Sequence, residues 1–100
     1  MELRFSKTKL ERLYTRGAGA RDYPEGVVDS FLSRVRTIEQ AKDERDLRAL
    51  ASLHFEKLRG KYAGFYSMRL RDRGRLILRI VTEQERKIVS IDEISQHYGD

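Results

Sequence analysis

In the first half of the chain, apolar residues recur at helical spacing. The two apolar stripes are Leu10, Leu13 and Tyr14, then Val28, Phe31, Leu32, Val35 and Ile38. Gly17 follows the first stripe as a stop signal, and Pro24 precedes the second, where a helix can begin. The spacing predicts helices over residues 8–16 and 24–41, which we expect to form a hairpin, and a short helix or irregular turn over residues 43–51.

In the second half, apolar and polar residues alternate with a period of two. This period predicts strands over residues 53–58 and 65–71, and the short alternating segment Leu3–Phe5 is a further candidate strand. The strongly β-prone run over residues 75–81 and the segment over residues 87–94 predict two more strands. We expect an α+β fold in which an N-terminal helical hairpin packs on a twisted, mainly antiparallel sheet. The residues predicted to be largely buried are Phe31, Leu32, Val35, Met68, Leu70, Leu76, Leu78 and Ile91.

Length and composition narrow the class of protein. One hundred residues suit a single domain over residues 1–100, with 39% hydrophobic and 37% charged residues. The absence of cysteine excludes disulfides, thiolate zinc sites and thiol catalysis. No apolar run reaches the roughly 18 residues of a membrane span, and the N-terminus lacks the apolar stretch of a signal peptide. We therefore expect a soluble, cytoplasmic protein with no membrane partner.

No sequence pattern indicates a cofactor or a metal. The chain has no G-x-G-x-x-G or P-loop motif, and nothing marks a nucleophile elbow. The two histidines, His54 and His97, lie far apart with no adjacent metal-ligand pattern. We expect neither a cofactor nor a metal site.

Positive charge is concentrated between Glu56 and Arg79. The whole chain carries a formal net charge of +5. The basic residues of this segment are Lys57, Arg59, Lys61, Arg69, Arg71, Arg73, Arg75 and Arg79. Arginine predominates, and its planar guanidinium suits phosphate. The segment is either a surface that binds phosphate or a solvated sheet surface whose charges deter aggregation.

Three segments together resemble the HigB toxins of the RelE/ParE superfamily. Residues 10–17 read LERLYTRG, similar to the pattern L-x-x-L-[YF]-x-x-G that opens these toxins. Residues 58–60 and 63–70 read LRG and AGFYSMRL, similar to L-K-G followed by G-x-[WY]-S-[VI]-R-[VI]. Residues 75–80 read RLILRI, similar to the strand W-R-I-x-F-R-F. The order and spacing of the segments extend the resemblance over nearly the whole chain.

The resemblance implies a RelE-like fold and a function. It implies the toxin of a type II toxin–antitoxin system, a metal-independent endoribonuclease that cleaves mRNA on the ribosome in a bacterial or archaeal cytoplasm. It also implies a cognate antitoxin, usually a small helix-turn-helix protein, which neutralises the toxin and through which alone the toxin contacts operator DNA.

Cationic catalytic residues follow from matching these motifs to the chain. RNA cleavage without a metal requires a base for the 2′-OH, an acid for the departing 5′-oxygen, and positive charge for the phosphorane. Arg75 matches the arginine of the W-R-I strand, and Arg59 stands at the lysine of L-K-G. Six further basic residues are candidates for contacts to nucleic acid: Lys57, Lys61, Arg69, Arg71, Arg73 and Arg79.

The residues that transfer protons are less well defined. HigB toxins often have a histidine four residues before the glycine of L-K-G, where this chain has Glu56, and His54 lies two residues upstream on the same face of the predicted strand. The terminal D-Y-H of the family has its nearest equivalent in His97 and Tyr98, in reversed order. Glu56, His54, His97 and Tyr98 are all candidates.

Two other functions are compatible with the same fold. One is a non-enzymatic inhibitor similar to the ParE toxins, which act on DNA gyrase. The other is a catalytically inactive RelE-fold protein that only binds its partner or RNA. The arginine-rich segment favours the nuclease, and the altered C-terminus keeps the inactive protein open.

Overall fold

A computed structural model describes residues 1–96 of the chain. Within that range, three helices and five strands occur in the order β1 (Glu2–Phe5), α1 (Thr8–Arg16), α2 (Glu25–Gln40), α3 (Glu44–Ala49), β2 (Glu56–Lys57), β3 (Tyr66–Arg69), β4 (Arg75–Glu83) and β5 (Arg86–Ser95). Short 3₁₀ turns occupy Ala20–Asp22, Ala51–Leu53 and Gly60–Tyr62.

The helix boundaries follow local chemistry. α1 ends at Gly17, whose φ of 69° is a left-handed conformation that glycine adopts without a steric penalty. Pro24 immediately precedes α2, and the carboxylate of Asp43 accepts a hydrogen bond from the backbone N–H of Arg45 at the start of α3. The helix predicted over residues 8–16 is confirmed, and the one over 24–41 is confirmed to within one residue at each end.

The strands form one five-stranded sheet in the order β1-β5-β4-β3-β2. β1 pairs with β5 in parallel, and the other three pairs are antiparallel. The turns β3–β4 and β4–β5 each place two consecutive residues in left-handed conformations, Asp72 and Arg73 in one, Gln84 and Glu85 in the other. Such turns match the twist of the strands that they join. The predicted α+β class with a mainly antiparallel sheet is confirmed.

The hydrophobic core lies between the helices and one face of the sheet. Its fully buried members include Phe31, Val35 and Ile38 from α2, and Met68, Leu76, Leu78, Val89 and Ile91 from the sheet. Seven of the eight residues predicted to be buried are buried. Leu32 is the exception, because it flanks the buried stripe of α2 beside Phe31 and remains only partly buried.

The strand predicted over residues 53–58 is wrong in extent. β2 contains only Glu56 and Lys57. Leu53 is buried by a tight 3₁₀ turn instead of a strand, and His54 follows it in a left-handed conformation with φ 46°. His54 therefore does not share a strand face with Glu56.

None of the helices within residues 1–96 combines the length and apolar character needed to cross a membrane.

Candidate active site

The side of the sheet that faces away from the helices carries the predicted cationic residues. We call this side the outer face; in β3 it presents Ser67 and Arg69, and in β4 it presents Arg75, Ile77 and Arg79. These residues alternate along their strands with the core residues, and cross-strand pairing of Ser67 with Ile77 and of Arg69 with Arg75 places their side chains on the same side.

Arg75 and Glu56 form an ion pair across the outer face. Arg75 Nη2 lies 3.2 Å from Glu56 Oε1. Arg75 is the first residue of β4 and Glu56 is in β2, so this contact crosses the intervening strand β3. The Arg75 side chain is only 18% exposed, whereas that of Glu56 is 53% exposed. A rigid strand thus holds a largely buried guanidinium next to a carboxylate that water and ligands can reach.

Ser67 lies between these two residues in the sheet. It pairs with Glu56 on one side and with Ile77 on the other. The residue is fully buried, and its hydroxyl has no hydrogen-bond partner within residues 1–96. An unsatisfied buried hydroxyl costs free energy.

A second arginine–carboxylate pair lies further along β4. Arg79 Nε is 2.6 Å from Asp92 Oδ2, and Arg79 Nη2 is 3.2 Å from Asp92 Oδ1. The Ser90 hydroxyl also donates to Asp92 Oδ1, at 2.8 Å. Burial favours the neutral form of Asp92, but hydrogen bonds from Arg79, Ser6 and Ser90 and the charge of Arg79 bring the pKa of Asp92 below its ordinary value.

A β-bulge sets the position of Asp92. Leu78 pairs with Ile91, whereas Ile77 pairs with Glu93, so Asp92 is the extra residue between them. The hydrogen bond to Arg79 shows that Asp92 faces the outer side, and the register places Glu93 there too. Two consecutive carboxylates therefore lie on one face of the sheet.

The other predicted catalytic residues lie apart from the Arg75–Glu56 pair. Arg59 is exposed in the loop between β2 and β3, where it precedes the turn Gly60–Tyr62. No hydrogen bond or ion pair within residues 1–96 connects Arg59 or His54 with Arg75 or Glu56. His97 and Tyr98 lie outside the described residues.

Four of the six residues predicted to contact nucleic acid lie at the two ends of the sheet. Arg69, Arg71 and Arg73 lie at the β3–β4 end of the sheet near Arg75. At the opposite end, the Lys61 ammonium lies 5.7 Å from the centre of the Tyr62 ring. The other two residues lie elsewhere. Lys57 is on the edge strand β2, and the Arg79 guanidinium is engaged by Asp92. Arg79 is therefore a weaker candidate for phosphate binding than its sequence position indicates.

The sequence patterns did not identify Ser67 or Asp92 as site residues. Ser67 stands in the motif GFYSMRL, which was a signal of its importance, but its burial without a partner is visible only in the fold. Asp92 becomes a partner of Arg79 through the bulge, and a bulge has no reliable signature in a single sequence.

Among the described residues, no group of three or more His, Asp or Glu side chains is arranged to hold a metal ion.

Comparison with known proteins identifies relatives by sequence profile and by fold. The family model of HigB-like toxins, described as RelE-like toxins of the type II toxin–antitoxin system HigB, matches residues 3–93. The comparison with curated proteins gives no match. A YoeB/ParE toxin from Agrobacterium tumefaciens is similar in structure, with a TM-score of 0.57, 17% identity, and coverage of 98% of this chain and 100% of that one. A chain of the YoeB–YefM complex from Staphylococcus aureus gives a TM-score of 0.54 and 19% identity, with 98% of each chain covered. At these identities the structural likeness concerns the fold alone.

Proposed function

The chain belongs to the HigB-like family of RelE-like toxins of type II toxin–antitoxin systems, and from this premise we propose that residues 1–100 form a single toxin domain that cleaves mRNA on the ribosome without a metal. The observation that carries the proposal is the Arg75–Glu56 pair on the outer face. Family membership supports a toxin, and this pair supplies groups suited to the chemistry of RNA cleavage.

Arg75 is the proposed binding group for the phosphorane. Arginine keeps its positive charge at any physiological pH, and its planar fork can contact two phosphate oxygens. Burial of most of the side chain and its place on a strand fix the guanidinium before the substrate arrives. A preorganised cation stabilises charge that develops in the transition state more than charge already present in the substrate.

Glu56 is the proposed base among the described candidates. Its carboxylate contacts Arg75 and is half exposed, so a 2′-OH next to a phosphate held by Arg75 can reach it. In the proposed reaction the 2′-oxygen loses its proton to Glu56 and bonds to phosphorus, and the bond from phosphorus to the 5′-oxygen breaks. The products are a 2′,3′-cyclic phosphate and a 5′-hydroxyl. His97 and Tyr98 are the proposed sources of the proton for the 5′-oxygen.

An antitoxin is the proposed protein partner. A free nuclease of this kind would halt growth, so a cell that carries it needs a neutralising protein, and family membership supports one. We propose that the antitoxin covers part of the arginine-rich outer face or an adjacent surface, and that it is a small helix-turn-helix protein through which the complex reaches operator DNA.

The test is single-turnover cleavage of ribosome-bound mRNA by purified Arg75→Ala protein. We expect the rate to fall by about a hundred- to a thousand-fold, with folding unchanged. Arg12→Ala, which removes an exposed arginine of α1 on another part of the surface, is the matched control and should leave the rate unchanged. A rate for Arg75→Ala within about threefold of the parent would contradict the proposal. It would favour either a non-enzymatic gyrase inhibitor or an inactive binding protein.

Mapping mRNA 5′ ends after induction of the chain in a bacterium provides the cellular readout. Cuts in phase with codons support the proposed nuclease. DNA double-strand breaks without such cuts support gyrase inhibition and contradict the proposal.

A further inference from the structure

A cleft of about 300 Å³ lies on the outer face, and Ile77, two residues after Arg75 in β4, is part of its lining. The turn from β1 to α1 forms one wall, with Lys7 at the rim, and the loop between β2 and β3 forms the other wall with Tyr62 and Phe65. Ile77 and Arg79 of β4, with Asp92 and Glu93 of β5, complete the lining. Its volume is at the lower end of the range for small-ligand pockets and is sufficient for one planar heterocycle.

The apolar part of the cleft is closely packed. Ile77 is 1% exposed although it points away from the helix-facing core. Phe65 packs edge-on against Tyr62, with ring centroids 6.0 Å apart and an interplanar angle of 88°. The Arg79 guanidinium lies 5.6 Å from the centre of the Phe65 ring, and Asp92 fixes that guanidinium with two contacts. The Asp92–Arg79 pair thus holds an aromatic ring in a fixed orientation at the cleft.

The polar part of the cleft offers a carboxylate as a hydrogen-bond acceptor. The bulge brings both Asp92 and Glu93 to the outer face, but Arg79 and Ser90 already donate hydrogen bonds to the Asp92 carboxylate. Glu93 makes no hydrogen bond or ion pair within residues 1–96 and is partly exposed. Its carboxylate is therefore available to a ligand in the cleft.

The cleft is correctly placed for a nucleotide next to the cleaved phosphate. Ile77 is two residues from Arg75 along β4, a distance of about 7 Å in an extended strand. That distance is on the scale of one nucleotide step along single-stranded RNA. Cations on both sides, Lys7 at the rim of the cleft and Arg75 beyond Ile77, suit a polyanion that passes over it.

We propose that this cleft binds an RNA base adjacent to the cleaved phosphate, and that Glu93 selects a base with an exocyclic amino group over uracil. The inference rests on the proposed function in taking RNA as the ligand of the outer face. Aromatic rings stack on any base, but a carboxylate accepts hydrogen bonds only from N–H groups. Adenine, cytosine and guanine each present an amino group, whereas the only N–H on the pairing edge of uracil lies between two carbonyl oxygens that repel a carboxylate.

Titration of the ¹⁵N-labelled full chain with AMP, CMP, GMP and UMP tests the proposal directly. We expect chemical-shift changes at the amides of Phe65, Ile77 and Glu93, and an affinity for the three amino-bearing nucleotides about fivefold or more above that for UMP. Glu93→Gln should bring the four affinities to within about twofold, because an amide can donate as well as accept. Phe65→Leu should weaken all four nucleotides alike, by about fivefold or more, since stacking is lost while the apolar volume is largely kept.

Two matched variants serve as controls. Glu85→Gln changes an exposed carboxylate in the β4–β5 turn, and Phe55→Leu changes an aromatic ring that stacks on Tyr66 instead of lining the cleft. Both should bind the nucleotides as the parent does. Shift changes that avoid the cleft, or equal affinity of the parent for UMP and the other three nucleotides, would overturn the proposal.

The assay contains no ribosome and requires no cleavage, so its outcome is independent of the proposed activity. A chain that cleaves mRNA but shows no binding in the cleft would contradict this inference alone. A chain that binds and selects bases but does not cleave would contradict only the proposed nuclease.

Discussion

Asp92 holds the Arg79 guanidinium by two contacts, of 2.6 and 3.2 Å, and thereby neutralises one arginine of the outer face. Arg75, which precedes Ile77 by two residues on the same strand, is paired instead with the exposed carboxylate of Glu56. The two pairs differ in which member is exposed: the carboxylate is the exposed member of the Glu56 pair, and the arginine is the more exposed member of the Asp92 pair.

Replacement of Asp92 by Asn should destabilise the protein in a pH-dependent way. The pKa of Asp92 is below its ordinary value in the folded state. Its stabilising contribution is therefore complete above the unfolded pKa of about 3.9 and is lost as the pH falls through the lower, folded pKa. We expect Asp92→Asn to cost about 1–2 kcal/mol at pH 7, allowing for the partial exposure of Arg79, and much less near pH 2.5.

Urea unfolding at both pH values measures this difference. Glu85→Gln, an exposed carboxylate in the β4–β5 turn, is the control and should change the free energy of unfolding by less than about 0.5 kcal/mol. An equal loss for Asp92→Asn at pH 7 and pH 2.5 would show that the charge of Asp92 does not contribute.

Variants of the Arg75–Glu56 pair should separate activity from stability. Glu56→Gln should lower the single-turnover rate by about a hundredfold or more, because an amide cannot accept the 2′-OH proton. The free energy of unfolding should change by less than about 1 kcal/mol, since Glu56 is half exposed. Arg75→Lys should retain more activity than Arg75→Ala but less than the parent, because an ammonium cannot make the two-point contact.

Glu83→Gln is the matched control for Glu56→Gln, since Glu83 forms a comparable ion pair with Arg4, at 3.0 Å with both side chains about half exposed. It should leave cleavage unchanged. Full activity of Glu56→Gln would exclude Glu56 as the base and leave His97, Tyr98 and His54 as the candidates.

Removal of Arg71 and Arg73 should reduce the salt dependence of ribosome binding. Each arginine that contacts a phosphate releases counterions, so the double Ala variant should lower the slope of log affinity against log salt by about two. The Ser30 hydroxyl contacts the backbone N–H of Arg71 and not its side chain, so the turn should remain intact. The double variant Arg12→Ala/Arg16→Ala removes equal charge from α1, and an equal effect there would indicate unspecific attraction.

Ser67→Ala should stabilise the protein. The buried hydroxyl lacks a hydrogen-bond partner within the described residues, and its removal should raise the free energy of unfolding by about 1 kcal/mol. Thermal unfolding measures the effect, and a destabilised variant would show that the hydroxyl is satisfied.

The loss in free energy of unfolding when a side chain of α2 is truncated should increase with the burial of that side chain. Ile38→Ala should cost about 2–5 kcal/mol because Ile38 is fully buried, and Leu32→Ala should cost less because Leu32 is only partly buried. Urea unfolding of both variants measures the difference. An equal cost would mean that Leu32 contributes to the core as fully as the helical period alone indicates.

The helices and long strands were predictable because local signals determined them. Gly17 ends α1 in the left-handed conformation, Pro24 precedes α2, and the β-prone run over residues 75–81 lies within β4. The short strand β2 was overextended because Leu53 is apolar at a position that fits a period of two, while a 3₁₀ turn buries it. Burial alone does not distinguish these two conformations over so few residues.

The sequence predicted which residues belong to the candidate site but not which of them contact each other. Arg75 and Glu56 were both identified, yet their contact across β3 depends on a sheet order that spacing does not reveal. The engagement of Arg79 by Asp92 depends on the bulge, which shifts the register by one residue. Asp92 thus engages an arginine that the sequence predicted to contact phosphate.

The parallel pairing of β1 with β5 affects how the protein folds during its synthesis. Glu2 of β1 pairs with Ile88 of β5. β1 is the first described strand to leave the ribosome, and it cannot pair until β5, the last, has been made. Because β5 lies between β1 and β4, β1 can join the sheet only after nearly all of the described chain has emerged. The complete five-stranded sheet therefore forms only late in the synthesis of the chain.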